Sequence, residues 1–159
     1  MIRRIEPADT AAVTGLVYEL AEYEKARHEC SLTEQQLTTA LFGDSPALFG
    51  HVAVEDGTVV GTALWFLNFS TWDGVHGIYL EDLYVQPEHR GRGHGKALLA
   101  ALARECVERG YSRLAWSVLT WNTPSIEFYE SLGADAQSEW LGYRLSGDGL
   151  TRLAAEVVN

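Results

Sequence analysis

Residues 87–105, PEHRGRGHGKALLAALARE, set Gly91, Gly93 and Gly95 at alternate positions. Arg90, Arg92, His94 and Lys96 are interleaved with them, and the run passes directly into an alanine- and leucine-rich stretch. Alternating glycine lets successive N–H groups turn toward one point with no Cβ in the way. The helix start just beyond adds its own free N–H groups and the positive end of its dipole. This is an oxyanion cradle, best suited to phosphate. Two familiar phosphate loops are spelled differently. A Walker A loop needs GxxxxGK[ST], but Lys96 is followed by Ala97 and no glycine stands five residues before Gly95. The dinucleotide fingerprint GxGxxG fails too, because the glycines run 91, 93, 95. A nucleoside triphosphatase and a dehydrogenase are therefore disfavoured. The residues alone leave a second reading open, a glycine-rich turn feeding a helix with solvated basic side chains.

The elements that must position this loop are legible in the periodicity. Residues 2–5 (IRRI) predict a short strand. Asp9 caps a helix running to about Lys25 on Val13, Leu16, Val17 and Leu20. Ser31-Leu32-Thr33-Glu34 starts a second helix with Leu37 and Leu41 one turn apart and Gly43 as its stop. Residues 51–56 (HVAVED), a Gly57 turn and the β-branched and aromatic run 58–69 predict a hairpin, and 77–85 (GIYLEDLYV) a third antiparallel strand. After the loop, Leu98, Leu99, Leu102, Cys106 and Val107 keep helical spacing to Gly110, and 113–119 (RLAWSVL) reads as a buried strand. Strand, crossover helix and strand make a parallel pair. Thr123-Pro124 caps a helix carrying Ile126, Phe128, Tyr129 and Leu132 and ending at Gly133. Residues 134–145 predict a further strand or a hairpin ending in 141–145 (LGYRL), and 150–158 a closing helix.

Composition narrows the partners. The chain has 159 residues, of which 47% are hydrophobic, enough for one domain with a single core over 1–159. Twelve basic against 22 acidic residues leave a formal charge of -10, so nucleic acid and anionic membrane are excluded as general partners, and any polyanion must be bound locally. No segment approaches 18 consecutive apolar residues, and the N-terminal run does not spell a signal peptide. Cys30 and Cys106 lie far apart with no CxxC spacing, and His28, His51, His76 and His89 carry no metal spacing. Neither a disulfide framework nor a metal site is expected. The histidines read as surface or hairpin residues, and a cytoplasmic setting is the expectation.

With Arg90-x-x-Gly93-x-Gly95 following a strand that ends in Leu83-Tyr84-Val85, and Asn122 and Tyr129 on the next strand-to-helix unit, the chain resembles the GNAT superfamily of acetyl-CoA-dependent N-acetyltransferases. The resemblance runs along essentially the whole chain. It is strongest in 79–99 (YLEDLYVQPEHRGRGHGKALL) and 121–134 (WNTPSIEFYESLGA), which look like the diamine (spermidine/spermine) and thialysine acetyltransferase branch. It implies an α/β fold built on a central, mostly antiparallel twisted sheet, with one splayed parallel pair and flanking helices. It also implies acetyl-CoA as co-substrate without a metal, a small-molecule amine as substrate, and a homodimer.

On that resemblance, the coenzyme is held by Arg90, Gly91, Arg92, Gly93, His94, Gly95 and Lys96. Leu83, Tyr84 and Val85 contact it along the strand edge, and Asn122, Ser125 and Tyr129 come from the later unit. A backbone N–H near Leu83 meets the carbonyl oxygen at a bulge. Tyr129 is the residue that protonates the departing thiolate; from its spacing alone it is equally a core aromatic. An alkylammonium with a pKa of about 10 must lose a proton before it attacks. Glu81 is the expected base and Asp82 the competing carboxylate, with a sheet-face salt bridge as the alternative use of Glu81. Tyr23 and Glu24 match positions that contact the amine in the resembled branch, and with Glu81 and Asp82 they form the expected substrate site. The chain departs from the polyamine enzymes at 138–145 (SEWLGYRL), where Trp140 and an extra residue replace an expected acidic run. This opens the way to shorter amines or an amino-acid side chain. The rival readings are a protein lysine or N-terminal acetyltransferase and a non-catalytic acetyl-CoA-sensing module.

Overall fold

The computed structural model of the protein describes residues 1–156, which fall into two compact units divided after Leu119. The predicted residues 157 and 158 of the closing helix lie outside the described residues. In the first unit, strands β1 (Ile2–Arg4), β2 (Phe49–Glu55), β3 (Thr58–Ser70), β4 (Val75–Val85) and β5 (Leu114–Ala115) form one sheet in that order. The first four pair antiparallel and β4 pairs parallel with β5, as the crossover through α3 (His94–Arg109) requires. The β2–β3 turn is two residues, Asp56 and Gly57, both with positive φ (48° and 78°). This is the geometry that matches strand twist, and glycine adopts it at no steric cost.

The two sheet faces are covered by different helices. Helix α1 (Thr10–Tyr23) and helix α2 (Glu34–Phe42) enclose a core of Ile5, Val13, Leu37, Leu41, Val52 and Leu64. Thr33 caps α2, accepting from Gln36 N–H while the Gln36 side chain accepts from Thr33 N–H. On the other face α3 buries Leu98, Leu99, Leu102 and Cys106, whereas Val107, expected to share that stripe, is 80% exposed. Both cysteines are free thiols.

Besides Val107, two sequence expectations are corrected in this unit, the extent of β5 and the exposure of His89. The strand over 113–119 shortens to the half-buried pair Leu114–Ala115, because β4 offers β5 partners only at Ile78 and Tyr79. His51 lies on the hairpin as expected, in β2, and is buried there, 6% exposed, since alternation from Val52 turns it under α3. His89, expected at the surface, is half-buried against Glu55. His28 and His76 are exposed.

The start of α1 supplies a test of stability. Asp9, 6% exposed, accepts hydrogen bonds from Arg3 Nη1 (2.7 Å) and Nη2 (3.0 Å) and from Glu6 N–H (2.8 Å). The Arg3 hydrogen bonds hold the Asp9 carboxyl below the ordinary aspartate range despite burial. A carboxylate lowered in the folded state contributes stability that is present above its unfolded pKa of about 4 and is lost as pH falls through the folded value. Asp9→Asn should therefore cost about 1–3 kcal/mol at neutral pH in urea unfolding, with the gap to the parent closing below pH ~4. A gap independent of pH would show that the charge of Asp9 contributes nothing.

The second unit contains helix α4 (Thr123–Ser131) and helix α5 (Gly147–Ala154). The cap of α4 is Asn122, not Thr123: the Asn122 side chain accepts from Ser125 N–H, and Pro124 sits where a free N–H would go unused. The strand or hairpin expected over 134–145 is absent among the described residues, which are irregular there. Trp140, Leu141 and Tyr143 are 69%, 78% and 93% exposed, so the apolar alternation of 141–145 meets no strand with which to pair.

Candidate active site

Between β4 and α3 the chain makes a short 3-10 turn, Pro87–His89, and then the glycine loop. Gly91 (φ 75°) and Gly93 (φ 84°, the N-cap of α3) are left-handed, whereas Gly95 lies within the first helical turn. Among the described residues, no group accepts a hydrogen bond from the main-chain N–H of Gly91, Arg92, Gly93, His94, Gly95 or Lys96. The ladder begins with Ala97 N–H donating to Gly93 O at 2.9 Å. Six successive donors at a helix start fit an oxyanion group. A Cβ at Gly91 or Gly93 would meet no atom within 4 Å, so a side chain there is opposed by its left-handed φ and not by crowding.

The basic side chains of the loop are mostly committed elsewhere. Arg90 Nε donates to Val85 O (2.8 Å), and its guanidinium lies over the rings of Tyr84 (5.3 Å) and Tyr23 (5.4 Å). Arg90 thereby ties the loop to β4 and α1 and does not point into the cradle. Arg92 Nη1 and His94 Nε2 (2.8 Å) bond to Glu55, which His89 Nδ1 also approaches at 3.2 Å. The His94 hydrogen bond, before the other contacts, holds the Glu55 carboxyl down to about 2. Lys96 is exposed.

Glu55 was missed from sequence, where nothing relates it to a loop 37 residues on. The sheet register supplies the link. Val85 pairs with Gly61 and Glu55 with Thr58, so the hairpin tip extends beside the place where β4 gives way to the loop.

Beyond Tyr79, β4 has no further pairing with β5, and among the described residues the far edge of 80–85 has no strand partner. Leu83, Tyr84 and Val85 thus present main-chain groups beside the cradle. Within the same stretch, Trp65 pairs with Leu80 and Leu64 with Asp82, leaving Glu81 as the extra residue of a β-bulge. The expected bulge is therefore present, two residues before Leu83. It puts Leu80 on the α3 face and Asp82 and Tyr84 on the α1 face, where unbroken alternation would keep Leu80 with Asp82.

Asp82, Glu81 and Glu24, just past the end of α1, lie close enough to perturb one another. Burial first, then Glu81 and Glu24, push Asp82 up to about 6. Burial and then Glu81 raise Glu24. Glu81 itself is exposed. Tyr84, 7% exposed, is raised by burial and by Glu19, which also accepts from Gln86 Nε2 (3.1 Å). Of the predicted substrate residues, Glu24, Glu81 and Asp82 are brought together, with Tyr23 nearby through Arg90. The carboxyl raised furthest toward neutrality is that of Asp82, the competing carboxylate.

In the second unit, Asn122 is 7% exposed and its cap with Ser125 N–H measures 3.4 Å. Tyr129 is half-buried one and a half turns into α4, beside Phe128 (ring centroids 5.5 Å apart). Among the described residues, no group of three or more His, Cys, Asp or Glu is arranged to hold a metal ion, and no helix is long and apolar enough to cross a membrane.

A left-handed glycine loop at a helix start, beside a strand that loses its parallel partner after Tyr79, is the arrangement that the resemblance to acyltransferases implied. The profile of the Acetyltransferase (GNAT) family matches residues 16–134, and the chain belongs to that family. It is 35% identical to the thialysine N-epsilon-acetyltransferase of Bos taurus over 98% of both chains. It is 28% identical to an L-ornithine N5-acetyltransferase of Arabidopsis thaliana, over 94% of this chain and 85% of the relative. Among solved structures, an integron cassette protein from the mobile metagenome of V. cholerae superposes with a TM-score of 0.82 at 29% identity, covering 98% of each chain.

Proposed function

We propose that this acetyltransferase moves an acetyl group from acetyl-CoA to a primary amine of a small cationic substrate, a diamine, a polyamine or a lysine- or thialysine-like amino acid. Attack is direct, in a ternary complex. The observation that carries the reading is the placement, on one strand and the loop after it, of the exposed Glu81 and the half-buried Asp82 a few residues before six unpaired N–H donors. The names of the thialysine and ornithine relatives support the same amine class. Acetyl-CoA, when bound, supplies an activated acetyl thioester and a diphosphate. The N–H groups of Gly91 to Lys96 receive the diphosphate, Lys96 adds a cation, and the edge of Leu83 to Val85, where Arg90 already holds Val85 O, takes amide groups as an added strand would.

Glu24 and Glu81 attract the ammonium, and Asp82 accepts its proton. A carboxylate poised near 6 is mostly ionised at pH 7 and is a stronger base than an ordinary aspartate. Tyr129 holds the proton given to the departing sulfur, and Asn122 and Ser125 fix the start of the helix that carries it. The family profile runs from 16 to 134, across both units, which supports one catalytic domain. The proposal includes a homodimer, supported by the exposed apolar run Trp140, Leu141, Tyr143 and Leu145. Light scattering should return twice the chain mass; a monomer at every concentration would remove the dimer.

Release of free CoA thiol, followed over putrescine, spermidine, lysine, thialysine and a lysine peptide, tests the activity. Turnover on the small amines and not on the peptide is expected. Tight coenzyme binding with no turnover on any of them would leave a coenzyme-sensing module. Glu55→Gln should tighten CoA binding several-fold in calorimetry, most at low salt, because it removes an anion bonded to the loop and frees Arg92 and His94 for phosphate. Weaker binding would show that Glu55 instead holds the loop in shape.

A further inference from the structure

On the sheet face away from the carboxylate cluster, β1, β2 and α3 enclose a cleft of about 370 Å³. It is lined by Arg3 and Arg4, by His51, by Ala97, Ala100 and Ala101, and by Arg104, Glu105 and Glu108. None of these residues belongs to the coenzyme loop or the amine site, so a ligand in this cleft would stand apart from acetyl transfer.

The cleft holds one polar group that the protein leaves unused. Trp65 Nε1–H donates to His51 Nδ1 at 3.2 Å. An indole nitrogen can only donate, so Nδ1 carries no proton and the ring proton of the neutral imidazole sits on Nε2. The ring is neutral at pH 7, because burial and then Arg4 hold it down to about 4. Its Nε2–H lies 3.9 Å from Glu105 Oε1, too far for a hydrogen bond. Glu105 is already taken by Arg4 Nη2 (2.5 Å) and Arg109 Nη2 (2.9 Å). Among the described residues no fully enclosed side-chain nitrogen or oxygen lacks a partner, so the unpaired Nε2–H of this 6% exposed residue is reached through the cleft.

The surroundings favour an anion. Arg3, Arg4, Arg104 and Arg109, four of the twelve basic residues of a chain with net charge -10, gather at this one place. Arg3 is paired with Asp9, and Arg4 and Arg109 share Glu105. Arg104 has no carboxylate within 4 Å among the described residues. Three alanines on α3 leave room for a short aliphatic body.

We propose that this cleft is a second ligand site, one that takes a small carboxylate: one oxygen accepts from His51 Nε2–H, the other faces Arg104, and the alkyl part lies on Ala97, Ala100 and Ala101. The probes are sodium acetate and sodium propionate, titrated into uniformly ¹⁵N-labelled full-length protein. The readouts are the His51 imidazole nitrogens and the Trp65 indole N–H, with sodium chloride at matched ionic strength and methylammonium chloride as controls. Saturable shifts with both carboxylates are expected, half-complete at the order of 1–10 mM, the range that a few polar contacts support. Arg104→Ala, an exposed position that tolerates truncation, should raise that midpoint about 3- to 10-fold. It should leave acetyl transfer unchanged. Shifts that chloride reproduces, a midpoint indifferent to Arg104→Ala, or saturation by methylammonium alone would each overturn the proposal.

Discussion

Asp82→Asn slows acetyl transfer by about 10²-fold or more while leaving CoA affinity within a few-fold of the parent. The amide keeps the shape and removes the basic oxygen. In the parent enzyme, kcat/KM should rise with pH through about 6, because Asp82 must be ionised to take the proton and burial has lifted its pKa to that point. The variant should lose that limb. Stability should move the other way. A carboxyl whose folded pKa is raised gives proton-linked stability that is full below its unfolded pKa of about 4 and is lost as pH rises through about 6. At pH 7.5 the ionised Asp82 is therefore a cost on the order of 3 kcal/mol. Asp82→Asn should accordingly raise the melting temperature at pH 7.5 and do little near pH 4. Glu81→Gln, at an exposed position, should act mainly on the KM of the amine. If Glu81→Gln instead abolishes the pH 6 limb and Asp82→Asn keeps it, the two carboxylates exchange roles.

Tyr129→Phe is the second large effect, a fall in kcat of about 10²- to 10⁴-fold with coenzyme affinity retained. A phenol titrates near 10 and an alkyl thiol near 8.5, so the proton transfer is only about 2 kcal/mol uphill and the tyrosine suits the acid role. Tyr129 is half-buried next to Phe128, so the phenylalanine variant keeps the ring packing and loses only the hydroxyl. Single-turnover kinetics separate the two steps: normal coenzyme binding with slow thiol release supports the role, and unchanged release removes it.

Much of this arrangement was readable from the chain. Strand alternation and turn chemistry located β2, β3 and β4, since Asp56-Gly57 and Trp72-Asp73-Gly74 punctuate runs of β-branched and aromatic residues. A glycine loop that presents its N–H groups at a helix start was legible at Gly91, Gly93 and Gly95, whereas the left-handed backbone of the first two and the helical backbone of Gly95 were not. Tertiary facts were not legible. The bulge at Glu81 depends on how β3 and β4 are registered, and simple alternation cannot show that Leu80 and Asp82 lie on opposite faces. Choosing between Glu81 and Asp82 needed burial, which adjacent carboxylates do not reveal. Arg90, Arg92 and His94 resembled phosphate ligands by charge, yet Val85 O, the two tyrosine rings and Glu55 claim them. The residues 141–145 had strand-like composition, but a strand needs a neighbour, and the described chain offers none.

The unpaired Glu81 also gives this strand one residue more than its partner needs. Deleting it would let the ladder close without a kink: Asp82 would still stand opposite Leu64 and Leu83 opposite Ala63, so every side chain behind it would keep its face. What would vanish is the local bend and the carboxylate at its apex. A chain shortened there should accordingly fold and lose catalysis, a separation that no exchange of side chains at the same place can make.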